Sequence, residues 1–208
     1  MPRPPRPYED VPRLPETGPI ALAGLFPGEA PVELEIGFGR GHFLIGRAAL
    51  LPATRFFGLE TRRKWVHVVA ERAARAGCAN MVVRHADARA TLARMEPEGG
   101  LARIFVNFPD PWWKTRHEKR MVLTPSFLKD AARLLADGGE IFVQTDVDFR
   151  AEAYLGALLS EESLEPLGEN GRIDMNPFGA RSLRERRCEE VGLPIHRMLF
   201  ARRSRSGG

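Results

Sequence analysis

The residues with the clearest chemical potential lie between positions 107 and 120, where the sequence reads NFPDPWWKTRHEKR. The carboxylate of Asp110 stands between two prolines, which stop regular secondary structure and stiffen the turn around it. The cations that follow can bind phosphates, and the two indoles, Trp112 and Trp113, can stack on nucleobases or cover a core. The segment therefore predicts contact with a nucleic acid, and its alternative is a solvated basic loop.

A glycine-rich turn follows an apolar run at residues 35–41, which read EIGFGRG. Glycines permit a sharp turn and let a ligand approach the backbone, and the N-terminus of a following helix favours an anion. The dinucleotide fingerprint requires a glycine three places after its second glycine, where this chain has His42. The G-x-G-x-G form is instead common in S-adenosylmethionine-binding methyltransferases. The alternative is a tight strand-to-helix turn that binds no ligand.

Acidic residues stand at the ends of other predicted strands. Glu60 lies about 20 residues past the glycine turn, where a carboxylate can chelate ribose hydroxyls and disfavours the 2′-phosphate of NADP. Asp87 follows the third strand, where it either meets an adenine amino group or caps a helix. Asp146 follows the fifth strand, so that it and Asp110 share one edge of the sheet. These acids suit a cationic sulfonium and a purine that becomes cationic.

The overall composition permits a nucleic-acid partner without requiring one. The 208 residues include 31 Lys and Arg against 27 Asp and Glu, and the net charge is +4. No apolar stretch approaches the roughly 18 residues of a membrane-spanning helix, and His42, His85 and His117 lack metal-ligand spacing, so we expect neither a membrane nor a metal. Two cysteines, Cys78 and Cys188, exclude a disulfide framework. With no secretory signal at the N-terminus, they indicate the cytoplasm.

Short apolar runs alternate with longer amphipathic stretches along the chain. The predicted strands cover residues 32–36, 55–60, 80–84, 102–107 and 140–145, and the predicted helices cover residues 42–50, 63–76, 125–136 and 149–159. Strands of about six residues separated by helices of about ten or more indicate βαβ units and a parallel sheet. Such sheets bind ligands beyond the carboxyl ends of their strands.

The two ends of the chain differ from its middle. Residues 1–30 are rich in proline and arginine, and this composition predicts a partly disordered N-terminal arm. Residues 31–202 form the predicted domain, and residues 203–208 form a predicted flexible basic tail.

Taken together, the motifs resemble those of the bacterial tRNA (guanine-N7)-methyltransferases. The resemblance rests on LEIGFGRG at 34–41, GLE at 58–60 and the segment 107–120, and it runs from about residue 31 to residue 200. It implies a Rossmann-like class I methyltransferase fold, with a mostly parallel seven-stranded sheet and helices on both faces. It also implies methyl transfer from S-adenosylmethionine to N7 of guanine 46 in the variable loop of tRNA, by a monomer or a homodimer.

The resemblance also implies roles for individual residues. The positions that match cofactor-binding residues of the family are Glu35, Gly37, Gly39, Gly41, Glu60, Asp87 and Asp110. Asp110 also matches the proposed catalytic residue. The positions that match substrate-binding or other functional residues are Lys114, Arg116, Arg120 and Asp146.

A further substrate motif of the family, Thr-x-aromatic-Glu, precedes a Gly-x-Pro-Ile strand. Counting back from GLPI at 192–195 places this motif on residues 182–185. Ser182 keeps the hydroxyl and Glu185 keeps the carboxylate, so both are predicted to bind substrate. Arg184 stands where the family has an aromatic residue, so the chain departs from the family in this part of the predicted guanine pocket.

The chemistry implied by the resemblance is simple, because guanine N7 has an in-plane lone pair and no base must remove a proton. Catalysis would rest on in-line positioning and on carboxylates that stabilise charge on the purine, which is the role predicted for Asp110. Three alternatives remain: a methyltransferase of the same fold with another nucleobase or a small molecule as substrate, a Rossmann dehydrogenase, and a non-catalytic RNA-binding module. His42 argues against the dehydrogenase, and the glycine turn with its acids argues against the binding module.

Overall fold

We describe the protein from a computed structural model that places residues 8–26, 28, 30–109 and 121–205. Four predicted site residues lie outside the described residues: Asp110, Lys114, Arg116 and Arg120. The same holds for Trp112 and Trp113, so the predictions for the segment after residue 109 stay predictions.

The described ranges contain ten strands and six α-helices. The strands are β1 (Ile20–Ala21), β2 (Val32–Ile36), β3 (Arg55–Glu60), β4 (Met81–His85), β5 (Met95–Glu96), β6 (Leu101–Asn107), β7 (Leu135–Thr145), β8 (Leu164–Pro166), β9 (Arg172–Ile173) and β10 (His196–Arg202). The helices are α1 (His42–Leu50), α2 (Arg63–Arg75), α3 (Ala88–Leu92), α4 (Pro125–Leu134), α5 (Asp148–Leu159) and α6 (Leu183–Val191).

Eight of the strands form one sheet in the order β4-β3-β2-β6-β7-β10-β8, and β9 pairs with β10. The five neighbouring strands β4, β3, β2, β6 and β7 are parallel. Strand β10 is antiparallel to β7, and β8 is antiparallel to β10. The predicted α/β fold with a mostly parallel sheet is therefore confirmed. Seven strands lie on the main path, and the two-residue β9 is the eighth.

Helices cover both faces of this sheet because neighbouring strand residues point to opposite sides. Phe57 packs in the core layer that includes residues of α3, α4 and α5, whereas the adjacent Phe56 packs with residues of α1 and α2. On the side of α1, Arg47 forms a buried bidentate ion pair with Glu33, with distances of 3.1 Å from Nε and 2.6 Å from Nη2. The two residues are 14 positions apart, and nothing in the sequence pattern indicates that they pair.

All nine predicted helices and strands are present, with shifts of a few residues at their ends. The largest difference concerns α4, which ends at Leu134, and β7, which begins at Leu135 rather than at residue 140. Leu135 pairs with Leu101 before the predicted turn, and the register then shifts so that Glu140 faces Arg103. Both leucines are fully buried, so their packing extends the strand across the turn.

The structure describes residues 8–26, 28 and 30 of the N-terminal arm and residues 203–205 of the tail. Within the described part of the N-terminal arm, β1 pairs with β5, and four apolar side chains are buried: Val11, Ile20, Leu22 and Phe26. Their burial against the domain explains why this segment is ordered despite its proline content. In the tail, the main-chain N–H of Arg205 donates a 3.0 Å hydrogen bond to Asp137 Oδ2. None of the helices in the described part combines the length and apolar composition that crossing a membrane requires.

Candidate active site

The glycine turn joins the carboxyl end of β2 to the start of α1. Gly41 has a φ of +71°, and a Cβ at this position would lie 2.7 Å from the methyl groups of Val69 in α2. Glycine is required here both by the left-handed backbone and by this close packing. A Cβ on Gly37 would instead meet nothing within 4 Å. The turn therefore packs tightly against α2 at one end and borders open space at the other.

Glu60, at the end of β3, is held against this turn. Its Oε2 accepts a 3.0 Å hydrogen bond from the main-chain N–H of Gly39, and its Oε1 accepts a 2.9 Å bond from the N–H of Arg62. The side chain is buried and lines a cavity of about 480 Å³, which we name the Glu60 cavity. Backbone donors thus orient Glu60, and its contact with a ribose stays a prediction.

Asp87 lies on the same cavity, after β4. It caps α3 by accepting a 2.9 Å hydrogen bond from the N–H of Arg89, and the Arg89 guanidinium donates a further bond of 3.0 Å. These hydrogen bonds from Arg89 hold the pKa of Asp87 below its usual range. Asp87 therefore caps α3, which is one of the two roles predicted for it. Its contact with an adenine stays a prediction.

Glu35, at the end of β2, is buried and only partly paired. Its Oε1 accepts a 2.8 Å hydrogen bond from Asn107 Nδ2, whereas its Oε2 has no partner among the described atoms. Burial, opposed by the Asn107 bond and reinforced by the charge of Glu60, raises the pKa of Glu35 to about 8. Glu35 lines a second cavity of about 470 Å³, the Glu35 cavity, together with Gly39, Gly41 and Ser182.

The two cavities adjoin, because Gly37, Arg62 and Phe108 line both of them. Phe108 directly follows β6 and has a φ of +50°. A non-glycine residue in this left-handed region stores backbone strain, and such strain is concentrated at functional sites. Neither Arg62 nor the backbone of Phe108 was identified from the sequence as part of the site. The positive φ of Phe108 could not be predicted from its residue type, because phenylalanine has no preference for the left-handed region.

Buried amides connect Glu35 to α6. Asn107 Oδ1 accepts a 2.9 Å hydrogen bond from Gln144 Nε2, which also donates a 3.1 Å bond to Glu185 Oε2. Asn107 and Gln144 face each other in the register of β6 and β7. All four side chains are buried. Neither amide was predicted as a site residue, although a polar amide at the end of an apolar strand is a recognisable signal.

Ser182 and Glu185 lie at the start of α6. The Ser182 hydroxyl caps the helix by accepting a 3.0 Å hydrogen bond from the N–H of Glu185. The Glu185 carboxylate is fully buried and accepts hydrogen bonds from Gln144, Asn176 and Arg197. Ser182 lines the Glu35 cavity, whereas Glu185 does not. Their predicted contact with substrate stays a prediction.

Asp146 is paired with the residue that departs from the family motif. Arg184 Nε donates a 3.0 Å hydrogen bond to Asp146 Oδ2, and Nη2 donates to the same oxygen. This pair joins the segment after β7 to α6. Arg184 lines the Glu35 cavity, although Asp146 itself does not.

The predicted acids and glycines are thus brought together around two adjoining cavities at the carboxyl ends of parallel strands. The residues gathered there are Glu35, Gly37, Gly39, Gly41, Glu60, Asp87 and Ser182. Among the described residues, no group of three or more His, Cys, Asp or Glu side chains is placed to hold a metal ion. The arrangement suits a ligand that carries both hydroxyl groups and a positive charge.

Known proteins are similar to this chain along most of its length. A family model described as "Putative methyltransferase" matches residues 29–198. The chain is 38% identical to the tRNA (guanine-N(7)-)-methyltransferase of Myxococcus xanthus, with 80% of this chain and 81% of that protein covered. It is also 38% identical to the enzyme of the same name from Idiomarina loihiensis, with 89% and 76% covered.

Solved structures show the same fold at lower identity. The 16S rRNA methyltransferase KamB has a TM-score of 0.62 at 17% identity, with 85% of this chain and 90% of that chain covered. TrmN from Thermus thermophilus has a TM-score of 0.61 at 20% identity, with 83% and 44% covered. The curated relatives and the matching family model show that the chain belongs to the tRNA (guanine-N7)-methyltransferase family.

Proposed function

We propose that this protein transfers a methyl group from S-adenosylmethionine to N7 of guanine 46 in the variable loop of tRNA. The observation that carries the proposal is the pair of buried acids, Glu35 and Glu60, on either side of the glycine turn. They stand at the ends of neighbouring parallel strands, where ligands of such sheets bind. Relatives at 33–38% identity that are named tRNA (guanine-N(7)-)-methyltransferases support the choice of substrate.

The residues present fit S-adenosylmethionine. Glu60 offers an oriented carboxylate for ribose hydroxyls, the open side of Gly37 leaves space beside the backbone, and Oε2 of Glu35 is a buried acceptor without a partner. Asp87 lines the same cavity and matches the adenine-binding position of the family. When bound, the cofactor supplies an electrophilic methyl group on a sulfonium.

Glu35 is the group whose charge state the ligand would change. The neutral acid predominates below a pKa of about 8, because burial disfavours the carboxylate. A cation close to Glu35 favours the ionised form, so we expect Glu35 to release a proton when a sulfonium binds beside it. Glu35 thus contributes charge complementarity only when the cleft is filled.

The substrate side of the site depends on residues assigned through the family. Asp110 would orient the guanine edge and stabilise positive charge on the purine. Lys114, Arg116 and Arg120 would bind phosphates, and Asp146, Ser182 and Glu185 would complete the guanine pocket. Because N7 carries a free lone pair, these residues position the base and need not remove a proton from it.

Methyl transfer to defined tRNA tests the proposal. Purified protein, labelled S-adenosylmethionine and unmodified tRNA should give label at guanine 46, mapped by chain cleavage at N7-methylguanine. A matched tRNA with 7-deazaguanine at position 46 lacks the accepting nitrogen and should take up no label. Asp110→Asn should reduce methyl transfer while largely preserving cofactor binding. Equal labelling of the deaza substrate, or label on another base, would overturn the assignment of the reaction.

A further inference from the structure

A group of exposed cations surrounds the mouth of the Glu35 cavity on the side of α2 and α6. We call it the basic rim, and its members are Arg40, Arg62, Arg63, Lys64 and Arg187. Arg40, Arg62 and Arg187 line the Glu35 cavity, and Arg62, Arg63 and Lys64 line a shallow cavity beside it. We propose that the basic rim binds phosphates of the RNA substrate, in addition to the cations predicted at positions 114–120. This inference rests on the proposed function.

The positive charge of the rim is only weakly neutralised. Among the described side chains, Arg40, Arg63 and Lys64 form no ion pair with a carboxylate. Arg62 contacts Glu60 at 3.5 Å, and Arg187 contacts Glu190 at 3.4 Å across two exposed side chains. The Arg187–Glu190 pair is exposed on both sides and contributes little to stability, whereas the buried Glu60 keeps its two main-chain donors without the Arg62 side chain. The rim is therefore free to exchange these contacts for phosphate oxygens.

Trp65 orders part of the rim before any ligand arrives. The guanidinium of Arg40 lies 5.1 Å from the centroid of the indole ring, and the ammonium of Lys64 lies 5.4 Å from it. Cation–π attraction at these distances limits the motion of both side chains. Arg72 also donates a 2.6 Å hydrogen bond to the carbonyl of Arg40 and so supports the turn. Cations that are already ordered lose less entropy when they bind a ligand.

The rim cations are placed where helix electrostatics disfavours them. Arg62 is the residue before α2, Arg63 and Lys64 are its first two residues, and the first turn holds no acid. The positive end of a helix dipole favours anions, so three cations there weaken the helix unless an anion offsets them. Positive charge also reaches His42 at the start of α1. Burial lowers the pKa of His42, and the charges of Arg72, Arg186 and Arg40 lower it further.

The position of the rim matches the chemistry of a nucleotide entering the site. The acids Glu35 and Glu60 are buried in the cleft, where a sulfonium and a purine would be bound, whereas the rim cations are exposed at its mouth, where the phosphates of the same strand would pass. One acidic residue, Glu9, lines the shallow cavity with Arg62, Arg63 and Lys64. The charge there remains positive, since three cations face one carboxylate.

The salt dependence of tRNA binding tests the proposal. The variant Arg63→Gln/Lys64→Gln removes two rim charges, and Arg75→Gln/Lys129→Gln removes two exposed charges at the last turn of α2 and on α4. In a plot of the logarithm of the tRNA association constant against the logarithm of the salt concentration, the rim variant should have a shallower slope, by about one for each cation removed. Its cofactor affinity should remain that of the wild type, and its thermal midpoint should not fall, because the two cations removed disfavour the start of α2. The control variant should keep the wild-type slope.

Equal slopes for the two double variants would overturn the proposal, because binding would then respond only to net charge. Arg187→Gln provides an independent measurement from the α6 side and should also lower the slope. The wild-type methylation assay separates this proposal from the proposed function. If guanine 46 is methylated but the slopes are equal, only the rim proposal fails. If the slopes differ but no methyl group reaches N7, the rim binds RNA and the proposed reaction fails.

Discussion

Asn107 donates a 2.8 Å hydrogen bond from Nδ2 to Oε1 of Glu35 and so joins the ends of β6 and β2 beside the glycine turn. Its own Oδ1 accepts from Gln144, which reaches Glu185 in α6. A continuous buried set of hydrogen bonds therefore runs from Glu35 at the end of β2 to Glu185 in α6. Glu35 and α6 are parts of one polar network, so the effect of removing one of its members can be measured.

Glu35→Gln should change how stability depends on pH. In the wild type, the folded protein keeps the Glu35 proton up to a pKa of about 8, whereas the unfolded chain releases it near 4.5. Between these values the folded state binds more protons, so the free energy of unfolding falls as pH rises, by up to about 1.4 kcal/mol per pH unit. Glutamine does not titrate and removes this contribution.

Urea unfolding without cofactor at pH 5, 6, 7 and 8 measures this effect. The free energy of unfolding of Glu35→Gln relative to wild type should increase across the series, while all other titrating groups cancel in the difference. Parallel pH profiles for the two proteins would show that Glu35 is ionised in the folded state.

Glu60→Gln should weaken cofactor binding by about tenfold, which corresponds to the loss of one charge-assisted hydrogen bond of about 1.4 kcal/mol. The carboxylate accepts from the N–H groups of Gly39 and Arg62 through different oxygens. A glutamine can present only one oxygen and would turn an N–H₂ group toward the other donor. Isothermal titration with S-adenosylmethionine measures the change.

Glu98→Gln is a suitable control for this experiment, because the Glu98 side chain is exposed and lies outside both cavities. It should leave cofactor affinity unchanged. Wild-type affinity in Glu60→Gln would exclude Glu60 from the binding site.

Gln144→Leu should destabilise the protein by about 1–3 kcal/mol, because it leaves the buried Asn107 Oδ1 unpaired, whereas Glu185 Oε2 keeps its hydrogen bond from Asn176. The Gln144 amide supplies hydrogen bonds to both Asn107 Oδ1 and Glu185 Oε2, and its side chain is fully buried. Asn107→Leu removes one of the same bonds, so the double variant should be less destabilised than the sum of the single variants. Chemical unfolding of the four proteins gives this coupling, and strict additivity would contradict a shared network.

Arg184 and Asp146 should act as a pair in methyl transfer. Arg184→Gln and Asp146→Asn each break the contact between α6 and the segment after β7. We expect each to lower kcat/KM, with a double variant no worse than the more impaired single variant. The stability cost should stay within about 1 kcal/mol, because the Arg184 side chain is 49% exposed. Independent, multiplicative losses of kcat/KM would show that the two residues act separately.

The sequence by itself determined the fold class and most of the candidate cofactor residues. Strand-sized apolar runs alternating with amphipathic helices predict a parallel sheet, and the acids and glycines that follow the runs predict its ligand-binding edge. Glu35, Gly39 and Glu60 meet for this reason, since the parallel strands β2 and β3 end side by side. Such residues can be identified because their position depends mainly on local chain order.

Only the tertiary structure decided the environment of these residues. The charge state of Glu35 depends on burial and on Asn107, which is 72 residues away in the chain. The partner of Asp146 is Arg184, which is 38 residues away, and the segment around Ile20 is held against the domain because β1 pairs with β5. These features depend on desolvation and on contacts between distant segments, which residue type and spacing do not specify.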